Sequence, residues 1–170
     1  PTISPPKQCR IGVAQDEAFC FYYADNLSLL ESIGAEIVPF SPIHDNRLPK
    51  CLDGLYLGGG YPELHAETLQ SNVSMRRDIL SFANAGGLVY AECGGMMYLA
   101  AALFTAKDKP KYDMCAIFPN VDTRMTPHMK MHYAELEFTN ANPIFPPGTK
   151  CRGQKFHFSE LVVEEDTSQD

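Results

Sequence analysis

Residues 87–99, Gly-Leu-Val-Tyr-Ala-Glu-Cys-Gly-Gly-Met-Met-Tyr-Leu, restrict the folds open to this chain more than any other stretch. Residues 88–91 form an apolar run that reads as a buried parallel strand, and it stops abruptly at Glu92 and Cys93. Two glycines follow, and residues 96–104 are apolar on every side, which predicts a buried helix. A cysteine at such a strand-to-helix corner occupies a sharp turn that small neighbours tolerate, with its sulfur turned outward over the helix N-terminus. The helix dipole and the first-turn amides would favour thiolate, bringing the thiol down from about 8.5. Cys93 therefore reads as a catalytic nucleophile. An ordinary thiol in a helix cap is the alternative; the glycines after it and a Gly-rich loop upstream weigh against that.

Elsewhere strands and helices alternate. Residues 10–14 predict a first strand, and Phe19, Tyr23, Leu27, Leu30 and Ile33 recur at the spacing of one helix face, closed by Gly34. Residues 35–40 and 54–57 read as the second and third strands, the latter opening into Gly58-Gly59-Gly60-Tyr61-Pro62-Glu63. Helices are expected over about 62–70, with Pro62 in the first turn, and 73–85, with Ile79, Leu80, Phe82 and Ala83 inward. This alternation implies an α/β fold: a parallel sheet, helices on both faces, and ligands at the carboxyl ends of the strands. Beyond Phe104 the texture turns to short β-like segments at 112–118, 130–139 and 155–164, with a proline-rich turn between the last two. Residues 1–8 read as a linker, 9–164 as one domain and 165–170 as a frayed tail.

Composition excludes several classes of partner. A net charge of -7 leaves no electropositive footprint for nucleic acid. The longest apolar run, 96–104, falls far short of the roughly 20 residues of a membrane span. Six cysteines without a C-x-x-C pair argue against a zinc ribbon or a disulfide framework, and point to a reducing cytoplasm or organelle stroma.

A cysteine nucleophile needs a base, an oxyanion hole and a pocket. His44 lies in a proline-flanked loop and His65 on an early helix turn, both read as solvated. His128 and His132 have H-x-x-x-H spacing, but no glutamate follows the first and Pro127 adjoins it, so a structural strand is favoured over a metal site. His157 sits between aromatics near the end of the chain, where geometry permits it to reach the corner; sequence alone leaves that open. Gly58-Gly59-Gly60 could bring backbone amides to a reacting carbonyl oxygen, or be a flexible turn. A phosphate loop is the weakest reading, since no Gly-Lys-Ser/Thr closes it.

Taken in order, Asp16-Glu17-Ala18-Phe19-Cys20-Phe21-Tyr22-Tyr23, Leu57-Gly58-Gly59-Gly60-Tyr61-Pro62-Glu63, Ala91-Glu92-Cys93-Gly94-Gly95-Met96-Met97-Tyr98, Arg124-Met125-Thr126-Pro127 and Phe156-His157-Phe158-Ser159 resemble the glutamine amidotransferase domain of cobyrinic acid a,c-diamide synthases. The resemblance implies a flavodoxin-like, class I amidotransferase fold. It implies that Cys93 attacks the side-chain amide of glutamine to give a γ-glutamyl thioester and ammonia, with His157 as base. The amides of Gly59 or Gly60 and Gly94 would hold the oxyanion; Tyr61 and Glu63 fall at substrate-binding positions. It further implies a separate synthetase domain or subunit that uses ATP and Mg to activate the corrinoid. No cofactor is expected in this domain, and the acidic chain would leave a polycarboxylate corrinoid to bind mainly elsewhere.

The chain departs from the family in three respects. Many members read Gly-His-Glu-Phe-His-Tyr-Ser where this chain has Gly153-Gln154-Lys155-Phe156-His157-Phe158-Ser159. Relatives often place a Glu two residues after the His to orient it; here that position is Ser159, and Glu160 one further on faces the other way along a strand. Third, no ATP-binding loop is present. The rival readings are a thiol hydrolase cutting a peptide or γ-glutamyl bond with water, and a degenerate scaffold domain.

Overall fold

Strand β1 (Cys9–Ala14) pairs in parallel with β2 (Ala35–Phe40) on one side and β3 (Gly54–Leu57) on the other, and β3 pairs with β4 (Leu88–Ala91). The resulting order, β2-β1-β3-β4, is that of a flavodoxin-like sheet, whose ligand crevice opens at the carboxyl ends of the strands. This computed structural model describes residues 8–106, 108–140 and 142–163. The expected linker, apart from Gln8, and the expected tail lie outside the described residues.

Helices α1 (Ala24–Ser32), α2 (Ala66–Ser71), α3 (Val73–Asn84) and α4 (Gly94–Leu99) connect these strands, with a single 3-10 turn over Pro62–Leu64. One sheet face carries the core. Leu55 and Leu57 of β3 pack with Leu69 of α2, Met75 and Ile79 of α3, and Met97 and Tyr98 of α4. The Asn72 side chain accepts from the Met75 amide at 3.3 Å and so starts α3 without a break from α2. Tyr56, between the two leucines, points to the other face, where its ring meets Tyr22 and Tyr90 edge-on.

Three expectations change. Strand β4, expected to be buried, leaves Leu88 and Tyr90 exposed. The face read from Phe19 to Ile33 is divided: Phe19 is fully buried from the loop before α1, while α1 itself buries no residue and leaves Tyr23 and Ile33 more than half exposed. The apolar stretch 96–104 is not one helix. Helix α4 ends at Leu99, the backbone turns extended at Ala100, and β5 (Ala100–Phe104) begins. Apolarity on every side is the signature of a buried strand as much as of a buried helix, and here strand pairing decides. β5 runs parallel to β7 (Phe118–Glu137) and antiparallel to β6 (Lys111–Asp113), while β7 pairs antiparallel with β8 (Lys150–Val163).

The β7–β8 ribbon is interrupted where the sequence carries two motifs of interest. Met125 lies opposite Ser159 and Lys130 opposite His157, so residues 126–129 bulge from β7 beside His157. Bulges of this kind re-aim side chains at strand ends and near sites.

Candidate active site

Cys93 takes φ 47° and ψ -110°, a region that non-glycine residues occupy at a cost of about 1–3 kcal/mol. Three backbone bonds hold it there. The Glu92 amide donates to the Leu57 carbonyl at 2.9 Å, the Gly95 amide to the Glu92 carbonyl at 2.8 Å, and the Met97 amide to the Cys93 carbonyl at 3.1 Å. Strand β4 is thereby stapled to β3, and the chain enters α4 within one residue of the thiol. Gly95 is required for the turn: a β-carbon there would lie 2.2 Å from the Leu57 carbonyl oxygen.

The loop after β3 lies directly against this corner. The Gly95 amide also donates to the Gly58 carbonyl at 2.9 Å. A β-carbon on Gly59 would stand 3.7 Å from that of Cys93, and one on Gly94 would stand 3.2 Å from the Gly60 amide nitrogen. Gly60 has φ +155° and packs so closely on the preceding segment that a β-carbon would fall 2.1 Å from the Ala18 carbonyl. The Tyr61 amide donates to that same carbonyl at 2.9 Å, and the Phe21 amide donates to Gly59 O at 3.0 Å. The loop is seated on residues 18–22 and on the Cys93 corner, so its backbone forms no open cradle for a nucleotide phosphate. Cys93, Gly59, Gly60 and Gly94 are thus brought together.

Asp16, at the carboxyl end of β1, organises the loops around this seat. One carboxylate oxygen accepts from the amides of Ala18 and Phe19 at 2.9 and 3.1 Å; the other accepts from the Ser41 hydroxyl and the Ile43 amide at 2.8 and 2.9 Å. The sequence signal for Asp16 is an acidic residue just beyond a strand's carboxyl end. Tyr22 is a second such organiser. It accepts from the Gly58 amide at 2.8 Å and donates to the Ala14 carbonyl, and burial pushes its phenol up to about 12.

The thiol does not behave as the helix dipole suggests. Desolvation raises the Cys93 pKa, the Gly94 N–H pulls it back down, and the carboxylates of Glu63 and Glu92 push it up again. Helix α4 has six residues, too few to supply much dipole, and two negative groups oppose the anion. Glu63 is half-buried, which raises its own pKa, and its charge reaches the thiol; Tyr61 beside it is exposed. Glu92 accepts from the Tyr56 hydroxyl at 3.0 Å.

His157 lies on β8, half-buried, and its Nδ1 donates to the Ser159 carbonyl at 2.6 Å, which leaves Nε2 as the basic nitrogen. That carbonyl is its hydrogen-bond partner among the described residues; the Cys93 thiol is not. The β8 strand that carries His157 reaches the glycine loop through its neighbour Phe156. Phe156 meets Phe21 edge-on at 6.4 Å, and Phe21 pairs with Gly59 next to Cys93. Ser159 is buried and contributes its carbonyl rather than its hydroxyl, while Glu160 is drawn to Lys130 at 3.4 Å. Gln154 and Lys155 are exposed further along β8.

The remaining histidines stand apart. His44 pairs with Glu17 at 2.9 Å, His65 precedes α2, and His128 and His132 are exposed on β7. Among the described residues no group of three or more His, Cys, Asp or Glu side chains could hold a metal, and no helix is long and apolar enough to cross a membrane.

A strained cysteine on a strand-to-helix corner, faced by a glycine loop, has the geometry of a nucleophile elbow. The family model of the CobB/CobQ-like glutamine amidotransferase domain matches residues 10–169. The chain belongs to this family. A cobyrinate a,c-diamide synthase of Syntrophotalea carbinolica is 46% identical over 91% of the chain and 34% of its own length. One from Methanothermobacter thermautotrophicus is 44% identical over 92% of the chain and 33% of its length. The chain therefore spans about a third of the length of these curated relatives. Among solved structures, PurLQS from Thermotoga maritima superposes with a TM-score of 0.59 at 15% identity, covering 93% of this chain and 71% of that one. A putative peptidase E protein from Listeria monocytogenes gives 0.52 at 16%, covering 68% and 65%. At such identities the amidotransferase domain shares the fold with them.

Proposed function

We propose that this domain hydrolyses glutamine through Cys93 and passes the ammonia to a synthetase domain or subunit that a,c-diamidates a corrinoid, cobyrinic acid, in cobalamin-type biosynthesis. The observation that carries the reading is the seating of the Gly58–Gly60 loop on the strained Cys93 corner, in a chain whose relatives are named for that reaction. The sulfur attacks the glutamine side-chain carbonyl, forming a C–S bond as the carbonyl electron pair moves to oxygen. The amides of Gly59 or Gly60 and of Gly94 take the oxyanion. Its collapse breaks the C–N bond, and ammonia leaves with the proton that His157 took from the thiol. Water then cleaves the thioester to glutamate and restores the thiol. Covalent catalysis divides one difficult amide hydrolysis into two easier steps.

The raised thiol pKa makes the base necessary. Desolvated, and with two carboxylates beside it, Cys93 is held as thiol until His157 accepts the proton. The Ser159 carbonyl fixes the imidazole tautomer that can do so, the role a carboxylate plays in other triads. Closure of the β7–β8 ribbon onto the corner would bring Nε2 to sulfur, which fits a site completed by its partner domain. Glu63 would meet the α-ammonium group of glutamine, and Tyr61 would bind the substrate beside it. ATP and Mg²⁺ belong to the synthetase, whose part is to activate corrin carboxylates.

The test uses the assembled synthase. Cys93→Ala and Cys93→Ser are expected to abolish glutamine-dependent amidation while added ammonia still supports it. If both nitrogen sources fail equally in folded protein, Cys93 does not have this role. Failure of a glutamine-analogue electrophile to label Cys93 in the folded wild type would instead favour a scaffold domain.

A further inference from the structure

We propose that Tyr22 is a positioning residue for the oxyanion hole: its hydroxyl fixes the first glycine of the Gly58–Gly60 loop so that the loop's amides face the Cys93 corner. This deepens the amidotransferase assignment above and rests on it. Tyr22 stands far from the nucleophile in sequence, before α1, yet a path of hydrogen bonds leads from it to Gly95, two residues after the thiol. The hydroxyl donates to the Ala14 carbonyl at the end of β1 and accepts from the Gly58 amide at 2.8 Å. The Gly58 carbonyl in turn accepts from the Gly95 amide at 2.9 Å, in the first turn of α4 beside Cys93. A phenol has one proton to give, and here that proton goes to a carbonyl while a lone pair takes an amide proton; no apolar side chain can do both.

The ring adds a steric restraint. A β-carbon on Gly58 would stand 2.5 Å from Tyr22 Cε1, so the ring packs closely against the loop backbone on that side. Behind the ring, Tyr56 packs edge-on with centroids 5.2 Å apart. The other ties of the loop are independent of the hydroxyl: the Glu92 amide to Leu57, the Phe21 amide to Gly59 and the Tyr61 amide to Ala18 all run between backbone groups. Loss of the hydroxyl therefore loosens the loop's first residue without detaching its ends. Oxyanion donors act only when they stand about 3 Å from where the charge develops, so a small shift of the loop weakens the transition state more than the bound amide.

The experiment compares Tyr22→Phe with wild type in the assembled synthase. Glutamine-dependent kcat is expected to fall about 10- to 100-fold, part of the 10²–10³ that loss of a whole oxyanion donor costs, with KM changed less than about twofold. Alkylation of Cys93 by iodoacetamide, a displacement at saturated carbon that forms no oxyanion, should proceed at the wild-type rate. Ammonia-dependent amidation should also be unchanged. A glutamine-dependent kcat within twofold of wild type overturns the proposal. So does a variant in which alkylation, ammonia-dependent amidation or the cooperative melt is lost as well, since Tyr22 would then serve the fold alone. Cys93→Ala separates the two levels: if it keeps glutamine-dependent activity, the underlying assignment fails whatever Tyr22 does. If it is inactive and Tyr22→Phe is not impaired, only the role of Tyr22 falls.

Discussion

The Tyr56 hydroxyl donates to Glu92 Oε1 at 3.0 Å, which anchors a negative charge one residue before the thiol. That charge, with Glu63, opposes formation of the Cys93 thiolate. Removing a negative neighbour favours the anion, so Glu92→Gln is expected to lower the Cys93 pKa. Iodoacetamide rates at Cys93, followed by peptide mass across pH 6–10, read this directly. The profile should move to lower pH in the variant; a profile moved upward, or not moved, would show that Glu92 does not act on the sulfur.

His157 has its Nδ1 occupied by the Ser159 carbonyl, so the base is confined to Nε2. His157→Ala is expected to lower glutamine-dependent amidation by about 10²- to 10⁴-fold, the usual worth of a positioned acid–base group. The ammonia-dependent rate should be untouched. Glutaminase activity within tenfold of wild type would assign the proton transfer to another group.

How far the chain could be read from its residues follows from which contacts are local. The Cys93 corner and the glycine loop were legible because a strand that ends in Glu-Cys-Gly-Gly, or in Gly-Gly-Gly-Tyr-Pro, announces a turn within a few residues. The 96–104 helix failed for a reason intrinsic to buried segments: Ala100 to Phe104 has no polar side to reveal its period, and its pairing with Asp122, Thr123 and Arg124 is a long-range fact. The expected fall in the thiol pKa also failed, because the burial of the sulfur, and after it the nearness of Glu63, depends on how distant segments pack around the corner. Tyr22 stood in a quoted motif, but its bond to Gly58 spans 36 residues and leaves no local pattern.

The glycines of the corner differ sharply in what they tolerate. Gly95→Ala drives a β-carbon to 2.2 Å from the Leu57 carbonyl, between two elements that cannot both retreat. It should cost about 2–4 kcal/mol and lower the melting temperature by roughly 4–16 °C. Gly86→Ala meets nothing within 4 Å, and its cost is the backbone strain at φ +87°, about 1–2 kcal/mol. Differential scanning calorimetry of the two variants should rank Gly95→Ala as the more damaging; the reverse order would contradict the tight seating of the corner.

Cys115 supplies a pH dependence that can be isolated from the active site. The thiol is buried in the core, and desolvation pushes its pKa up to about 12, against about 8.5 for an unfolded thiol. A raised folded-state value means that the unfolded chain loses this proton first. The stabilisation is therefore complete below about pH 8.5 and declines as pH rises toward 12. At pH 10 the loss from this one group is about 2 kcal/mol, or roughly 4–8 °C in melting temperature. Tyr22, also pushed up to about 12, acts in the same direction but only from about pH 10, where free tyrosine ionises. Cys115→Ala removes the thiol's share together with the upward push that the thiol gives the neighbouring Tyr98 phenol. The variant should be less stable than wild type at pH 7 because of the cavity, and the gap should narrow between pH 8.5 and 10. A gap that stays constant over that range would mean that the buried thiol carries no such penalty.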